Sequence, residues 1–287
     1  MLVREYRPAD EWALVRVLTA LGVLRPERLL SDIAAGSVRV WLALDPTGQA
    51  RAYASARPWQ SRPHSLGIGL YCPDAEEGDL ALLAADLARH AWAQASGDDP
   101  RLEEAILFPV RDDWLACLAA DGWSVIQQIV KYRREPAPTG PIPAPDPSAQ
   151  IRPFTPDDLA AVLAVEQAAF PALWWMDASD FRRSAEAAQA NFAVATVGGS
   201  IIGYLIGYHG NPPNGYVGRL GVHPRHQGKG FGRWMLAYAL DRLAEKGCAA
   251  VELSTQYENQ TSRGLYEGFG FVQTGHYWMA SKRTAPG

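Results

Sequence analysis

From Leu220 the chain reads Leu-Gly-Val-His-Pro-Arg-His-Gln-Gly-Lys-Gly-Phe-Gly-Arg-Trp-Met-Leu. Glycines at 228, 230 and 232 let backbone approach a ligand closely. Successive N–H groups in such a turn point outward at the positive end of the helix that follows, an arrangement that suits phosphate or pyrophosphate. The flanking segments supply the frame. Tyr216 to Val222 is rich in β-forming residues, and Pro224 stops it. Phe231 to Lys246 carries Trp234, Leu236, Ala237, Leu240 and Leu243 near helical spacing and ends before Gly247. The pattern is strand, glycine turn, helix. It is no Walker loop, because G-x-x-x-x-G-K-[ST] is absent, and no G-x-G-x-x-G follows the strand. On the glycines alone, a ligand cradle and a plain turn are equally good readings.

A second segment follows. Asn259-Gln260-Thr261-Ser262-Arg263-Gly264-Leu265-Tyr266-Glu267-Gly268-Phe269-Gly270-Phe271 sets an asparagine ahead of a short helix, Gln260 to Glu267. In isolation Asn259 reads as a helix N-cap and Tyr266 as a core aromatic. Together, Gln227-x-x-Gly230-x-Gly232 after Val222-His223-Pro224, and the run from Asn259 to Phe271, resemble two ordered motifs of the GNAT acyltransferase superfamily. The resemblance covers about Ile151 to Arg283.

It implies an acetyl-CoA-dependent N-acetyltransferase acting on an amine of a small molecule or peptide. Gln227 and the amides of Gly228, Lys229, Gly230, Phe231, Gly232 and Arg233 would cradle the CoA pyrophosphate. Backbone from Leu220 to Val222 would pair with the pantetheine arm and polarise the thioester carbonyl. Asn259 would hold the pantetheine near its amides, and Tyr266 would protonate the departing thiolate. A thiol titrates near pH 8.5 and a tyrosine near 10, so the phenol donates only if the site matches the two. The other implied reading is an acyl-CoA-binding pseudoenzyme, a sensor without turnover.

The family's frequent base glutamate has no counterpart. The strand Tyr216-Val217-Gly218-Arg219-Leu220-Gly221-Val222 carries no acid, and Tyr216 stands about where the glutamate is expected. Glu252, Glu258, His223 and His209 are the remaining candidates, beside a water chain to solvent. Arg219 would bind an acidic acceptor if it faced the acceptor cleft, and would mean nothing if it faced solvent. Trp174 and Trp175, in the stretch after Phe170-Pro171, are expected to pack rather than to read an acceptor.

The chain repeats itself. Val3-Arg4-Glu5-Tyr6-Arg7-Pro8-Ala9-Asp10 resembles Ile151-Arg152-Pro153-Phe154-Thr155-Pro156-Asp157-Asp158, and Ala120-Asp121-Gly122-Trp123 resembles Gly268-Phe269-Gly270-Phe271. Both offsets are 148 (151 − 3 and 270 − 122), which argues for a duplicated domain. Between the copies, Glu135 to Gln150 holds six prolines in sixteen residues, a composition that favours extended chain. The expected division is therefore 1–135, a degenerate domain; 136–150, a linker; and 151–287, the GNAT acetyltransferase domain. Strands are expected at 38–44, 50–56, 66–71 and 104–108, then at 150–152, 192–197, 201–208, 216–222, 249–253 and 271–281, with helices at 79–94, 231–246 and 260–267. The implied fold class is mixed α/β, with two GNAT-like domains, each a mostly antiparallel central sheet flanked by helices.

The first copy is worn. Its loop reads Tyr71-Cys72-Pro73-Asp74-Ala75-Glu76-Glu77-Gly78-Asp79-Leu80, with one glycine and four acids that would repel a pyrophosphate. At the offset of 148, Tyr266 corresponds to Leu118 and Asn259 to Arg111. The first half is expected to keep the fold without binding acetyl-CoA.

Composition agrees with a soluble globular chain. The 287 residues are 48% hydrophobic and 20% charged, and the net charge of −4 gives no basic field for a nucleic-acid partner. Cys72, Cys117 and Cys248 are too few and too scattered for a disulfide framework or a zinc site. No apolar leader and no stretch of membrane-spanning length stands out, so no membrane partner and a cytoplasmic location are the expectations.

Overall fold

The computed structural model describes every residue except 21–25, 60, 73–79, 136–138, 140–141, 211–213 and 285–287. The elements in chain order are β1 (Leu2–Glu5), α1 (Glu11–Ala20), α2 (Pro26–Ala34), β2 (Arg39–Leu44), β3 (Ala50–Pro58), β4 (Ser65–Tyr71), α3 (Leu80–Asp98), β5 (Glu104–Val110), α4 (Leu115–Ala120) and β6 (Ser124–Arg134). They continue with β7 (Ala149–Pro153), α5 (Leu159–Ala169), α6 (Ala178–Glu186), β8 (Ala190–Val197), β9 (Ser200–His209), β10 (Asn214–Val222), α7 (Phe231–Glu245), β11 (Ala250–Gln256), α8 (Gln260–Glu267) and β12 (Val272–Arg283). Among the described residues no helix is long and apolar enough to cross a membrane.

These elements form two compact units. In the first, the strand order is β1-β2-β3-β4-β5-β12. Every pairing is antiparallel except β4 with β5. In the second, the order read from the other end is β7-β8-β9-β10-β11-β6. Again every pairing is antiparallel except one, β10 with β11. The two sheets share one topology. α3 packs on β2 and β3 in one, and α7 on β9 and β10 in the other.

The duplication is visible in side-chain chemistry as well. Arg4 pairs with Asp10 at 2.6 Å, and Arg152 with Asp158 at 2.7 Å, 148 positions later. In each copy the aspartate also accepts the amide three residues before it, closing the turn after the first strand. The guanidinium and those amide bonds hold Asp158 down at about 2, and Asp10 below the usual carboxylate range. Near the other end, Gly122 and Gly270 both take left-handed φ, +82° and +80°. Trp123 N donates to Leu118 O as Phe271 N donates to Tyr266 O.

The units do not follow the expected division at 136–150. They comprise 1–128 with 277–287, and 129–276. Each sheet is completed by a strand from the other half of the chain. Residues 278–283 of β12 pair with β5 in the first unit, where Met279 and Ala280 are buried. Residues 129–134 of β6 pair with β11 in the second, where Val130 and Tyr132 enter the core. The described part of the proline-rich stretch lies against the second unit rather than apart from it. Thr139 donates to Asp241 at 2.8 Å, and Ile142 packs on the core.

Candidate functional site

The site grows from the one parallel pair of the second unit. β10 and β11 are paired only from Asn214 to Tyr216 and from Ala250 to Glu252. β10 continues to Val222 on the arm of β9, with Leu220, Gly221 and Val222 opposite Leu205, Tyr204 and Gly203. A β-bulge lies between Val217 and Arg219. Beyond Tyr216, therefore, β10 has a partner on one side only, and the other side presents backbone donors and acceptors to the opening between the strands. An extended amide-bearing ligand can complete such an edge.

The glycine loop closes the end of this opening. Gln227 Nε2 donates to Val222 O at 2.9 Å, tying the loop back to the strand end. Gly228 and Gly230 hold φ of +72° and +89°, values side-chain-bearing residues rarely adopt. A Cβ at Gly228 would meet nothing within 4 Å, and one at Gly230 only Pro145, at 3.6 Å. The backbone there is open to a ligand. Gly230 caps α7, whose first intrahelical bond runs from Trp234 N to Gly230 O, so the amides of Phe231, Gly232 and Arg233 precede the ladder. Between His223 and Arg233 the side chains are neutral or basic, with no acid. Phe231 itself is buried in the core and Arg233 lies over the Phe269 ring at 5.0 Å, so both serve the loop through backbone. This cradle fits a pyrophosphate group.

α8 brings the second motif to the same opening. Asn259 Oδ1 accepts Ser262 N at 3.1 Å and caps the helix, while its Nδ2 donates to no group among the described residues. Tyr266 is 9% exposed, with its ring near Tyr132 and Phe271. Burial pushes its hydroxyl up to about 12, a hydrogen bond with Ser262 opposes this, and Tyr216 and Arg219 of β10 are close enough to act on it electrostatically. The structure thus sets α8 near both other parts: Leu265 stands 3.7 Å from where a Cβ of Gly232 would lie, and Tyr266 is within electrostatic reach of β10. Tyr132, on a strand that the first half of the chain contributes, donates to Glu267 at 2.7 Å and accepts Arg263 at 3.1 Å, so it anchors α8.

Among the described residues, the first unit carries no matching set. Leu118 is fully buried where Tyr266 stands, and Arg111 holds the N-cap position of a 3-10 turn, without a side-chain cap bond, where Asn259 caps α8. The acidic loop at 73–79 lies outside the described residues.

Of the four base candidates, His209 lies on β9 opposite Gly215, and Glu252 lies where β10 and β11 part. Glu252 is the register partner of Tyr216, with its carboxylate 2.6 Å from Arg133. Glu258 is exposed, and His223 accepts the Arg225 amide at 3.2 Å. Arg219 meets neither expectation. Its side chain is 14% exposed and paired at 2.5 Å with Glu166, which is 0% exposed. Glu166 was not singled out from the sequence. The available signal was its place four residues after Val162, on the buried face of α5.

The comparisons with known proteins point one way. Residues 159–271 match the acetyltransferase (GNAT) family. An acetyltransferase of Yersinia pestis is 29% identical over 136 residues, covering 47% of this chain and 94% of that protein. Among solved structures, a GCN5-related N-acetyltransferase from Sphaerobacter thermophilus superposes with a TM-score of 0.69 at 21% identity, over 100% of this chain and 96% of its own. A tandem GNAT protein from the clavulanic acid biosynthesis pathway gives 0.65 at 16% identity, over 87% and 84%. At such identities the likeness is one of fold. The family match over 159–271 places the sequence likeness in the second half of the chain, which is similar to acetyltransferase domains of the GNAT family.

Proposed function

We propose that the second unit is an acetyl-CoA-dependent N-acetyltransferase that transfers acetyl directly to an amine of a small molecule or peptide. The observation that carries this reading is the unpaired β10 edge at Leu220 to Val222, ending on an open glycine loop and lying beside a buried tyrosine hydroxyl. The pantetheine amides pair with that edge, and the pyrophosphate takes the loop amides and the α7 N-terminus. Strand amides polarise the thioester carbonyl. The neutral amine forms the new C–N bond, the C–S bond breaks, and Tyr266 supplies a hydrogen bond to the sulfur as it gains charge. Glu252, directly or through water, takes the amine's proton. An acyl-CoA sensor is the second reading, favoured by the absence of an acid on β10 and by the Arg133 pairing of Glu252.

CoA-thiol release across an amine panel decides between the readings. Turnover with one acceptor class supports the transferase. Acetyl-CoA binding with no turnover on any amine supports the sensor. No binding at all removes both.

Two expectations follow for binding. Isothermal titration should give one acetyl-CoA site per chain, because the first unit has Leu118, Arg111 and an acidic loop at the corresponding positions. Two sites would contradict the worn-copy reading. Gly230→Val should weaken acetyl-CoA about tenfold or more, since a β-branched residue at φ +89° costs about 1–2 kcal/mol and the open loop relaxes away from its binding shape. An unchanged dissociation constant in a folded variant would remove the loop from the site.

A further inference from the structure

On the other face of the thioester-binding strand lies a group of buried polar side chains. Glu166 of α5 is 0% exposed and sits at the centre. Tyr204 of β9 donates its hydroxyl to Glu166 Oε2. Arg219, at the β10 bulge, donates through Nη2 to Glu166 Oε1 at 2.5 Å and to Trp174 O at 2.7 Å. Met176 N donates to Glu166 Oε1 at 2.8 Å. The guanidinium lies 3.7 Å from the centre of the Phe170 ring. Trp175 Nε1 donates to Phe170 O at 2.7 Å, closing the segment on itself.

The cluster touches two things at once. It holds residues 170–176 by a carbonyl, an amide and a ring. It also borders the reacting strand: a Cβ at Gly221 would meet Tyr204 at 2.8 Å and Phe170 at 3.1 Å. Gly221 lies between Leu220 and Val222, so the position of the strand amides depends on how Tyr204 and Phe170 are seated. A buried ion pair is expensive to desolvate and adds little net stability over an apolar filling. Its geometric demands are strict, because every donor must find its acceptor. Such a device suits fixing one arrangement better than strengthening the fold. Glu166 also neutralises Arg219, so the cation is spent within the protein instead of selecting an anionic acceptor.

We propose that Glu166, Tyr204 and Arg219 are positioning residues that fix segment 170–176 against β10, and so set the acceptor side of the site at which acetyl transfer was inferred above. They act through the segment and the strand, without touching the reacting atoms.

The test compares wild type with Arg219→Lys, Glu166→Gln and Tyr204→Phe. Acetyl-CoA affinity is read by titration, acceptor KM and kcat by thiol release, and the Met176 amide by hydrogen exchange. Lysine cannot supply the planar fork that sets Nη2 on Glu166 Oε1 and Trp174 O and Nε 3.4 Å from Glu166 Oε2 and the Tyr204 hydroxyl. Arg219→Lys and Glu166→Gln should raise acceptor KM tenfold or more and speed Met176 exchange, with a much smaller loss of acetyl-CoA affinity, because β9 also holds β10 through Val222. Tyr204→Phe keeps the ring over Gly221 and should move the same quantities less. It carries the test if the other two variants do not fold. Equal shifts in acetyl-CoA affinity and acceptor KM, or an unchanged acceptor KM in a folded variant, would overturn the proposal. If wild type acetylates no amine, the transferase reading fails by itself. Met176 exchange then still decides whether the cluster holds the segment.

Discussion

Tyr266→Phe lowers kcat about ten- to a hundredfold and leaves acetyl-CoA affinity within about twofold, the size expected from losing one hydrogen bond to a charged group. The substitution keeps the ring packed near Tyr132 and Phe271 and removes only the hydroxyl. The magnitude follows from the pKa. Burial holds the phenol at about 12, and a thiol titrates near 8.5. Full proton transfer from the phenol to the thiolate is then uphill by roughly 3–4 pH units, about 5 kcal/mol. At that spacing the role proposed for Tyr266 is to donate a hydrogen bond as charge builds on sulfur, rather than to give up its proton completely. A loss beyond about a thousandfold would exceed that and point to full general-acid catalysis. The sign of the pH dependence is fixed by the same shift. A group raised to about 12 stays protonated throughout the working range, so the hydroxyl imposes no alkaline fall in rate below about pH 11. On the acid side, the rate should rise with pH as the acceptor amine loses its proton. The measurement is kcat, which reports the substrate-bound enzyme, from pH 6 to 10.5 for wild type and Tyr266→Phe. An alkaline limb below pH 10 that disappears in the variant would show that bound substrate brings the tyrosine down, and would refute hydrogen-bond donation at the resting pKa.

The elements of the candidate site were legible as a strand, a turn and helices because their signals are local. A glycine turn between a strand and an amphipathic helix needs only neighbouring residues to be recognised. α8, expected at 260–267, runs from Gln260 to Glu267, and α7 differs from its expected span by one residue at its end. The duplication was legible for a similar reason. Arg4 and Asp10, like Arg152 and Asp158, build a turn from residues six apart, so selection on the turn leaves a readable pattern. What the sequence hid was partnership at a distance. β6 has the alternating, β-rich character of any strand, and nothing in Ile129 to Arg134 says that its neighbour is β11, more than a hundred residues on. By composition the proline-rich stretch reads as a divider, whereas the sheet is partitioned by hydrogen-bond register, on either side of that stretch. Arg219 and Glu166 are 53 positions apart, and each alone reads as an ordinary charged residue. Their meaning is created only when α5 is laid over β9 and β10.

That partition has a consequence for where the chain can be cut. The fragment 129–276 should fold as a cooperative unit and bind acetyl-CoA, whereas 151–287, the division suggested by composition, should not fold. The second unit is continuous in sequence from Ile129 to His276. Starting at 151 removes the whole paired length of β6, which faces β11 from Ile129 through Arg134. It also removes Ile129, Val130 and Tyr132, all at 2% exposure or less. Deleting a buried side chain of this kind costs about 2–5 kcal/mol, so three approach the whole stability of a domain, about 5–15 kcal/mol. The edge of β11 is left unpaired, an invitation to aggregation. α8 loses the Tyr132 hydroxyl that bonds Glu267 and Arg263, so the tyrosine it carries is no longer held. Residues 277–287 meanwhile remain attached without the sheet that buries Met279 and Ala280. Circular dichroism melts and acetyl-CoA titration on both fragments separate the cases. A cooperative melt and binding from 151–287 would show that β6 is dispensable. Failure of 129–276 would show that the second unit requires the first in order to fold. Success of 129–276 alone would assign all of the CoA site to that unit, with one strand of it supplied from before the proline-rich stretch.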